Sequence, residues 1–353
     1  MPRQSCVTRS GSQDCHASLA MTIAGEIQWQ QKIMNIEKEL ARYKPSLPTL
    51  LTIGVFDGVH RGHLSLLGHL VARAREKGCP AGVVTFRTHP EKVLGRRDTI
   101  PWITTLRERT RLLRAAGVDV VVPVTFTRNV ANLTAREFVH LLQRHLNMSG
   151  LVLGPDFALG RHRQGDPGYL QSIGEELDFR VEVVRPARLE GEVISSSAIR
   201  KLLAEGDIYK VEEMLGRRFS IEGRVVQGDR RGRTLGFPTA NLSMQPEQAI
   251  PGDGIYATIA RLGRRRLNSV SNIGLRPTFD GLRRLVETYI MDFDGDLYGK
   301  RLSIDLVARL RDEMRFQSAE ELKVQMAKDV EMAKNILNKF QIPNSKIQTN
   351  SNL

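Results

Sequence analysis

The chain has 353 residues, 41% of them hydrophobic and 26% charged, enough for two cores and ordinary for a soluble globular protein. No apolar run approaches the roughly 20 residues of a membrane span and no compact apolar leader opens the chain, which argues against a membrane or exported protein. Residues 1–48 hold six Lys/Arg and four Asp/Glu, so of the net +13 they supply only +2; charge scattered in this way argues against a nucleic-acid stripe and leaves a basic surface able to attract polyphosphates.

Cys6, Cys15 and Cys79 show neither metal-ligand spacing nor a disulfide framework, which suits a reducing, cytoplasmic setting. Residues 1–48 carry no strong pattern beyond a modest helical stretch, Gln28–Tyr43, closed by Pro45 and Pro48, and read as a disordered extension, with a start misassigned upstream of Met21 or Met34 and a weak targeting sequence as the alternatives. From Leu50 onward, apolar runs at Leu50–Val55, Ala81–Phe86, Val118–Phe126, Leu151–Leu153 and Phe179–Val184 predict strands. Helical patterns alternate with them at Leu64–Lys77, Leu106–Ala116, Ala135–Leu146 and Tyr169–Leu177, and a last one spans Ser196–Glu205. Strands apolar throughout and separated by helices predict an α/β domain, a doubly wound parallel sheet, over 49–215.

After about residue 216 the period changes to two. Ser220–Val226, Ile255–Arg261, Leu285–Phe293 and Leu302–Val307, broken by Gly, Asn and Asp turns, predict an antiparallel β-barrel or sheet. A terminal helix, Ala319–Phe340, closes this second domain at 341, and 342–353 read as a disordered tail. No motif speaks to oligomeric state.

The chemistry begins at "TIGVFDGVHRGH", Thr52–His63. A first strand ends in a glycine turn (Gly54, Phe56, Asp57, Gly58), and a helix then opens with His60, Gly62 and His63. Ligands of open parallel sheets bind beyond the carboxyl ends of strands, and free N–H groups at a helix start attract phosphate. Histidines three apart share a helix face and can donate hydrogen bonds to a phosphoryl group in transfer. The pattern therefore predicts a site for a nucleotide's phosphates.

This stretch closely resembles the HxGH nucleotidyltransferases, and "GVFDGVHRGH" is similar to the form found in prokaryotic FAD synthetases, which join an FMN adenylyltransferase domain to a riboflavin kinase domain. "GPDFALGRHRQGD", Gly154–Asp166, resembles the family's flavin loop, which implies flavin contacts for Asp156, Phe157 and Arg163. "ISSSAIR", Ile194–Arg200, resembles its second nucleotide motif, with Ser195, Ser196 and Ser197 at a helix start and Arg200 toward the triphosphate; alone, the serines would only cap a helix. Thr88 and Leu159 replace a usual Pro and Phe.

The second domain holds "GRTLGFPTANL", Gly232–Leu242: a glycine-bearing loop (Gly232, Thr234, Gly236, Pro238) and an extended segment in which Thr239 and Asn241 project to one side. Neutral oxygens suit Mg²⁺ held chiefly by ATP phosphates, although the string by itself also describes a satisfied hairpin turn. In "LVETYIMDF", Glu287 is the one carboxylate on a row with Leu285, Tyr289, Met291 and Phe293, a candidate general base. "PTAN", "SNIGLRPTF", "VETYIMDFDGDLYG" and "LRDEMRF" match riboflavin kinases in order, which implies Mg-ATP at Thr239 and Asn241, a flavin contact at Arg311 and base catalysis by Glu287. Tyr289 replaces a commoner His. The resemblance implies two ATP-using steps, riboflavin to FMN and FMN to FAD. The rivals are another HxGH nucleotidyltransferase with a non-catalytic second domain and a basic nucleic-acid-binding protein; the latter lacks an aromatic platform.

Overall fold

The computed structural model describes residues 34–228, 231–278 and 281–341. Two compact units emerge. Among the described residues, the first comprises 34–55 with Leu66–Asp98 and Thr110–Arg185; the second comprises Phe56–Ser65, Thr99–Arg109 and those from Pro186 onward.

In the first unit, β1 (Thr49–Ile53), β2 (Ala81–Phe86), β3 (Val120–Val124), β4 (Met148–Leu153) and β5 (Arg180–Val183) form a wholly parallel sheet in the order β3-β2-β1-β4-β5. β1 and β2 are buried at every residue, which is why they lack alternation in the sequence. The helix Ala135–Leu146 starts on a capping box, Thr134 with Glu137, and stops where Asn147 turns left-handed. The strand order reverses between β1 and β4, the switch point at which such sheets bind ligands. In the chain, β1 is followed by the histidine turn, whose residues belong to the second unit.

One expectation is corrected here. Residues 34–40 are helical, and Ile36 and Leu40 are buried in the core beside Leu142 and Met148. The Glu39 carboxylate accepts from the backbone N–H and hydroxyl of Thr125. The stretch 34–48 thus belongs to the first unit, because two apolar residues four apart suffice to dock a short helix. The expected disorder of 1–33 and 342–353 falls outside the described residues.

In the second unit a short hairpin, β6 (Arg188–Leu189) and β7 (Glu192–Val193), precedes the helices Ser196–Glu205 and Ile208–Leu215. Then β8 (Ser220–Val226), β9 (Thr239–Met244), β10 (Gly254–Leu262), β11 (Arg265–Thr278), β12 (Gly281–Ile290) and β13 (Arg301–Arg311) close an antiparallel barrel in the order β10-β11-β12-β9-β8-β13. Inside lie apolar side chains such as Tyr256, Ile273, Val286, Ile290 and Ile304. With them is a buried hydroxyl chain in which Thr258 meets Ser269 (2.8 Å) and Ser271 (3.0 Å), and Ser271 meets Thr288 (2.8 Å). The helix Ala319–Gln341 covers part of the outer wall, with Ala333 and Leu337 on Ala257, Ile259 and Val307. No helix among the described residues is long and apolar enough to cross a membrane.

Candidate active sites

The histidine turn is built from strained backbone. Phe56 and Val59 are left-handed (φ 51° and 40°), as is Gly58 (φ 82°), a conformation costing non-glycine residues of order 1 kcal/mol or more each. What holds it is Asp57, only 1% exposed. Its carboxylate accepts from the N–H groups of Ile103 and Thr104 (3.1 Å each) and from Arg200 Nη2 (2.6 Å), and Thr104 Oγ1 accepts from Gly58 N–H (3.0 Å). From the other side Arg217 donates to the carbonyls of Gly58 (2.6 Å) and Val59 (3.2 Å).

His60 and His63 stack face to face, with centroids 3.6 Å apart and planes at 18°, and Phe56 meets His63 edge-on at 5.0 Å. A side chain at position 62 would crowd the stack, since a Cβ there would lie 3.0 Å from the His60 ring and 3.1 Å from the Ile194 carbonyl. The His63 N–H donates to His60 Nδ1 (3.3 Å), which makes Nδ1 the acceptor and assigns the proton of the neutral ring to Nε2. Burial, then the charges of Arg217 and Arg200, push His60 down to about 4. Burial, then His60, Arg109 and Arg217, hold His63 well below its ordinary value. Both rings are therefore neutral donors at pH 7. Arg109, 1% exposed and stacked 4.5 Å over Trp102, is lowered by burial to about 10 and stays charged. Arg109, Arg200 and Arg217 thus surround a single buried carboxylate, a net positive field suited to a polyphosphate.

The serine run divides its duties. Ser195 caps the helix Ser196–Glu205 by accepting from Ala198 N–H, Ser196 donates to the Asp57 carbonyl (2.9 Å), and Ser197 is exposed. In the first unit, the loop 154–166 is pinned by paired Leu159 and Gly165 hydrogen bonds, and Arg163 Nη2 donates to the Asp156 carbonyl (3.1 Å). Phe157 and Leu159 pack on the core while Asp156 and Arg163 are exposed. Gly160 (φ 77°) is required, because a Cβ would fall 2.6 Å from Ala135 N.

The second constellation lies on the barrel's outer wall. Register sets Asn241 opposite Glu287 and Glu287 opposite Asn272, so three adjacent strands carry one row, Asn241–Glu287–Asn272. The neighbouring row is Thr239–Tyr289–Val270. Thr239, Asn272, Glu287, Arg311, Glu313 and Asp329 line a cleft of about 280 Å³ under the terminal helix. Glycine backbone lies close to Thr239 and Asn241: a Cβ at Gly228 would displace the Asn241 amide, meeting its Nδ2 at 2.2 Å, and one at Gly232 would strike the Phe237 carbonyl at 2.3 Å. Gly236 is left-handed (φ 87°), and Thr234 and Pro238 are exposed. Arg311 is tied to Asp329 by two hydrogen bonds, 2.9 and 2.6 Å.

Family models match both segments: FAD synthetase over residues 44–198 and riboflavin kinase over 215–337. The bifunctional riboflavin kinase/FMN adenylyltransferase of Escherichia coli (strain K12) is 42% identical over 81% of this chain and 91% of its own length. The protein of that name from Haemophilus influenzae is 39% identical over 82% and 94%. This chain belongs to their family. A solved structure titled macrolide-efflux protein, from Streptococcus pneumoniae, superposes with a TM-score of 0.78 at 30% identity, covering 84% of this chain and 97% of that one.

Two findings bear on the sequence expectations. Asp57 and Arg200, expected at the nucleotide, are paired with each other and hold the loop 99–109. The apolar row of Glu287 is shorter than expected: β12 ends at Ile290, Asp292 turns left-handed (φ 53°), and Phe293 joins the inner cluster. The buried apolar side chains of that strand are the alternate set, Val286 and Ile290, inside the barrel; Glu287 is half-buried on the cleft side. Sequence reasoning missed Arg109, Arg217, Thr104, Gly228 and Asn272. Only Gly228 and Asn272 left a local signal, the first by opening the glycine-bearing loop, the second within "SNIGLRPTF".

Proposed function

We infer that this chain converts riboflavin to FMN on the barrel and FMN to FAD at the histidine turn, with ATP as co-substrate of both steps. The observation that carries the reading is the pairing of both family segments in one chain with two built sites of opposite chemical character.

The kinase step needs a base, because its nucleophile is a neutral alcohol. Glu287 supplies it, accepting the proton of the flavin's 5′-hydroxyl as that oxygen attacks the γ-phosphorus of ATP and ADP leaves. The donors beside it, the Thr239 hydroxyl and the Asn241 amide oxygen, are hard and neutral. That set fits Mg²⁺, and the glycine backbone at 228 and 232 lets a nucleotide approach it. When bound, Mg²⁺ neutralises charge on the ATP phosphates. Arg311, fixed by Asp329, and the loop Gly232–Pro238 border the same cleft and contact flavin and nucleotide respectively.

The adenylyl step needs no base, because the FMN phosphate is already an anion. Its oxygen attacks the α-phosphorus, the bond to the β-phosphate oxygen breaks, and pyrophosphate leaves. His60 and His63 donate neutral N–H groups to charge spreading over the phosphoryl oxygens, within the field of Arg109, Arg200 and Arg217. Gly54, Phe56, Gly58 and Gly62 shape the turn and Ser195–Ser197 open the helix Ser196–Glu205; the family resemblance gives flavin contacts to Asp156, Phe157 and Arg163 of the first unit. The free thiol of Cys79 suits a reducing cytoplasm. Incubation with riboflavin and Mg-ATP, followed by separation of the flavins, tests the reading: FMN and then FAD must appear, and a chain that makes neither refutes it.

A further inference from the structure

The row Asn241–Glu287–Asn272 has a direction. Neighbouring strands lie ~4.8 Å apart, so β9 and β11 are separated by roughly 10 Å with β12 between them. Thr239 and Asn241 stand on β9, Glu287 on β12, and Asn272 on β11. On the kinase reading, Thr239 and Asn241 would hold the Mg²⁺ and with it the ATP phosphates at β9, which would leave the β11 end of the row to the alcohol to be phosphorylated.

Asn272 is the residue at that other end. It lines the cleft, and its Oδ1 is shielded from solvent with no hydrogen-bond partner among the described residues. A buried amide oxygen left unpaired is destabilising, and native structures rarely tolerate it without a ligand or water to satisfy it. The group it lacks is a donor. Phosphate oxygens at neutral pH offer none, whereas a polyol offers several.

We propose that Asn272 is a positioning residue for the acceptor alcohol: its amide oxygen accepts a hydrogen bond from one hydroxyl of the flavin's ribityl chain, setting the terminal hydroxyl against Glu287. The inference rests on the kinase reading given above.

The test compares the full-length parent with Asn272→Leu, which keeps the volume and removes the acceptor. The substrates are riboflavin and analogues in which single ribityl hydroxyls are replaced by hydrogen. For the variant, kcat/KM for riboflavin should fall about tenfold or more, while KM for Mg-ATP and adenylylation of supplied FMN stay at parental values. One deoxy analogue should cost the parent a similar factor and cost the variant nothing further. Unchanged riboflavin kinetics, a shift confined to KM for Mg-ATP, or additive losses with every analogue would each overturn the assignment. If Asn272→Leu loses adenylylation too, Asn272→Ala carries the same comparison in a smaller side chain. A parent that makes no FMN from riboflavin removes the kinase reading itself, an outcome distinct from parent and variant making it equally well.

Discussion

The histidine turn and the barrel wall solve opposite problems. At the turn, every backbone kink is held by buried partners, the titratable rings are neutral, and three arginines outweigh one carboxylate. On the wall, a carboxylate stands in a row of amides beside glycine backbone that leaves room for a ligand. An anionic nucleophile needs its field arranged in advance and needs no proton acceptor. A neutral alcohol needs the acceptor, and its site can stay more open. The two halves differ because their nucleophiles differ in charge.

The sharpest break of that contrast is removal of both rings. His60→Ala with His63→Ala should lower FAD formation from FMN on the order of 10³-fold while riboflavin phosphorylation continues, so FMN accumulates; chromatography of the flavins reads both. If FAD still forms near the parental rate, the turn is not where adenylyl transfer occurs. Glu287→Gln is the reciprocal change. Kinase turnover should drop about 10²-fold or more with riboflavin affinity and adenylylation preserved, and parental turnover would show that the wall holds no base. Smaller again, Thr239→Ala or Asn241→Ala should raise the Mg-ATP concentration needed for half-maximal kinase rate about tenfold and leave FMN adenylylation alone. Loss of both activities would mean general unfolding or a shared nucleotide site.

The weakest effect is on stability and separates the two regions by pH. A histidine whose folded value is depressed binds its proton more readily when unfolded, so the stabilisation it gives is complete above its ordinary value of 6.5 and is lost as pH falls toward the folded value, about 4 for His60. Thermal melts of the parent should therefore fall between these limits, and His60→Phe should flatten that limb. An equally steep limb in His60→Phe would assign the acid sensitivity to other groups.

The parallel sheet was plain in the sequence because its strands are apolar on both faces. The barrel was only half visible. β11, "RRLNSVSNIGLRPT", shows no apolar alternation, since its inward positions Ser269 and Ser271 bond to Thr258 and Thr288 instead of packing as hydrocarbons. The helix Ile208–Leu215 did carry a readable stripe, Ile208, Val211, Met214 and Leu215, but it is short and follows directly on another helix. Motif residues were found where chemistry and spacing coincide, as at His60, His63 and Thr239. Arg109, Arg217 and Thr104 were out of view because their significance lies in contacts dozens of positions away.

Arg217 also bears on how these two enzymes can be inherited. It falls within the riboflavin kinase segment, 215–337, yet its guanidinium holds the Gly58 and Val59 carbonyls of the FAD synthetase segment, 44–198. A gene fission at the motif border would give a freestanding adenylyltransferase whose left-handed turn had lost that brace, while the freestanding kinase would keep the arginine. A fission product with an intact turn would have to carry its sequence past residue 217, or evolve a replacement cation.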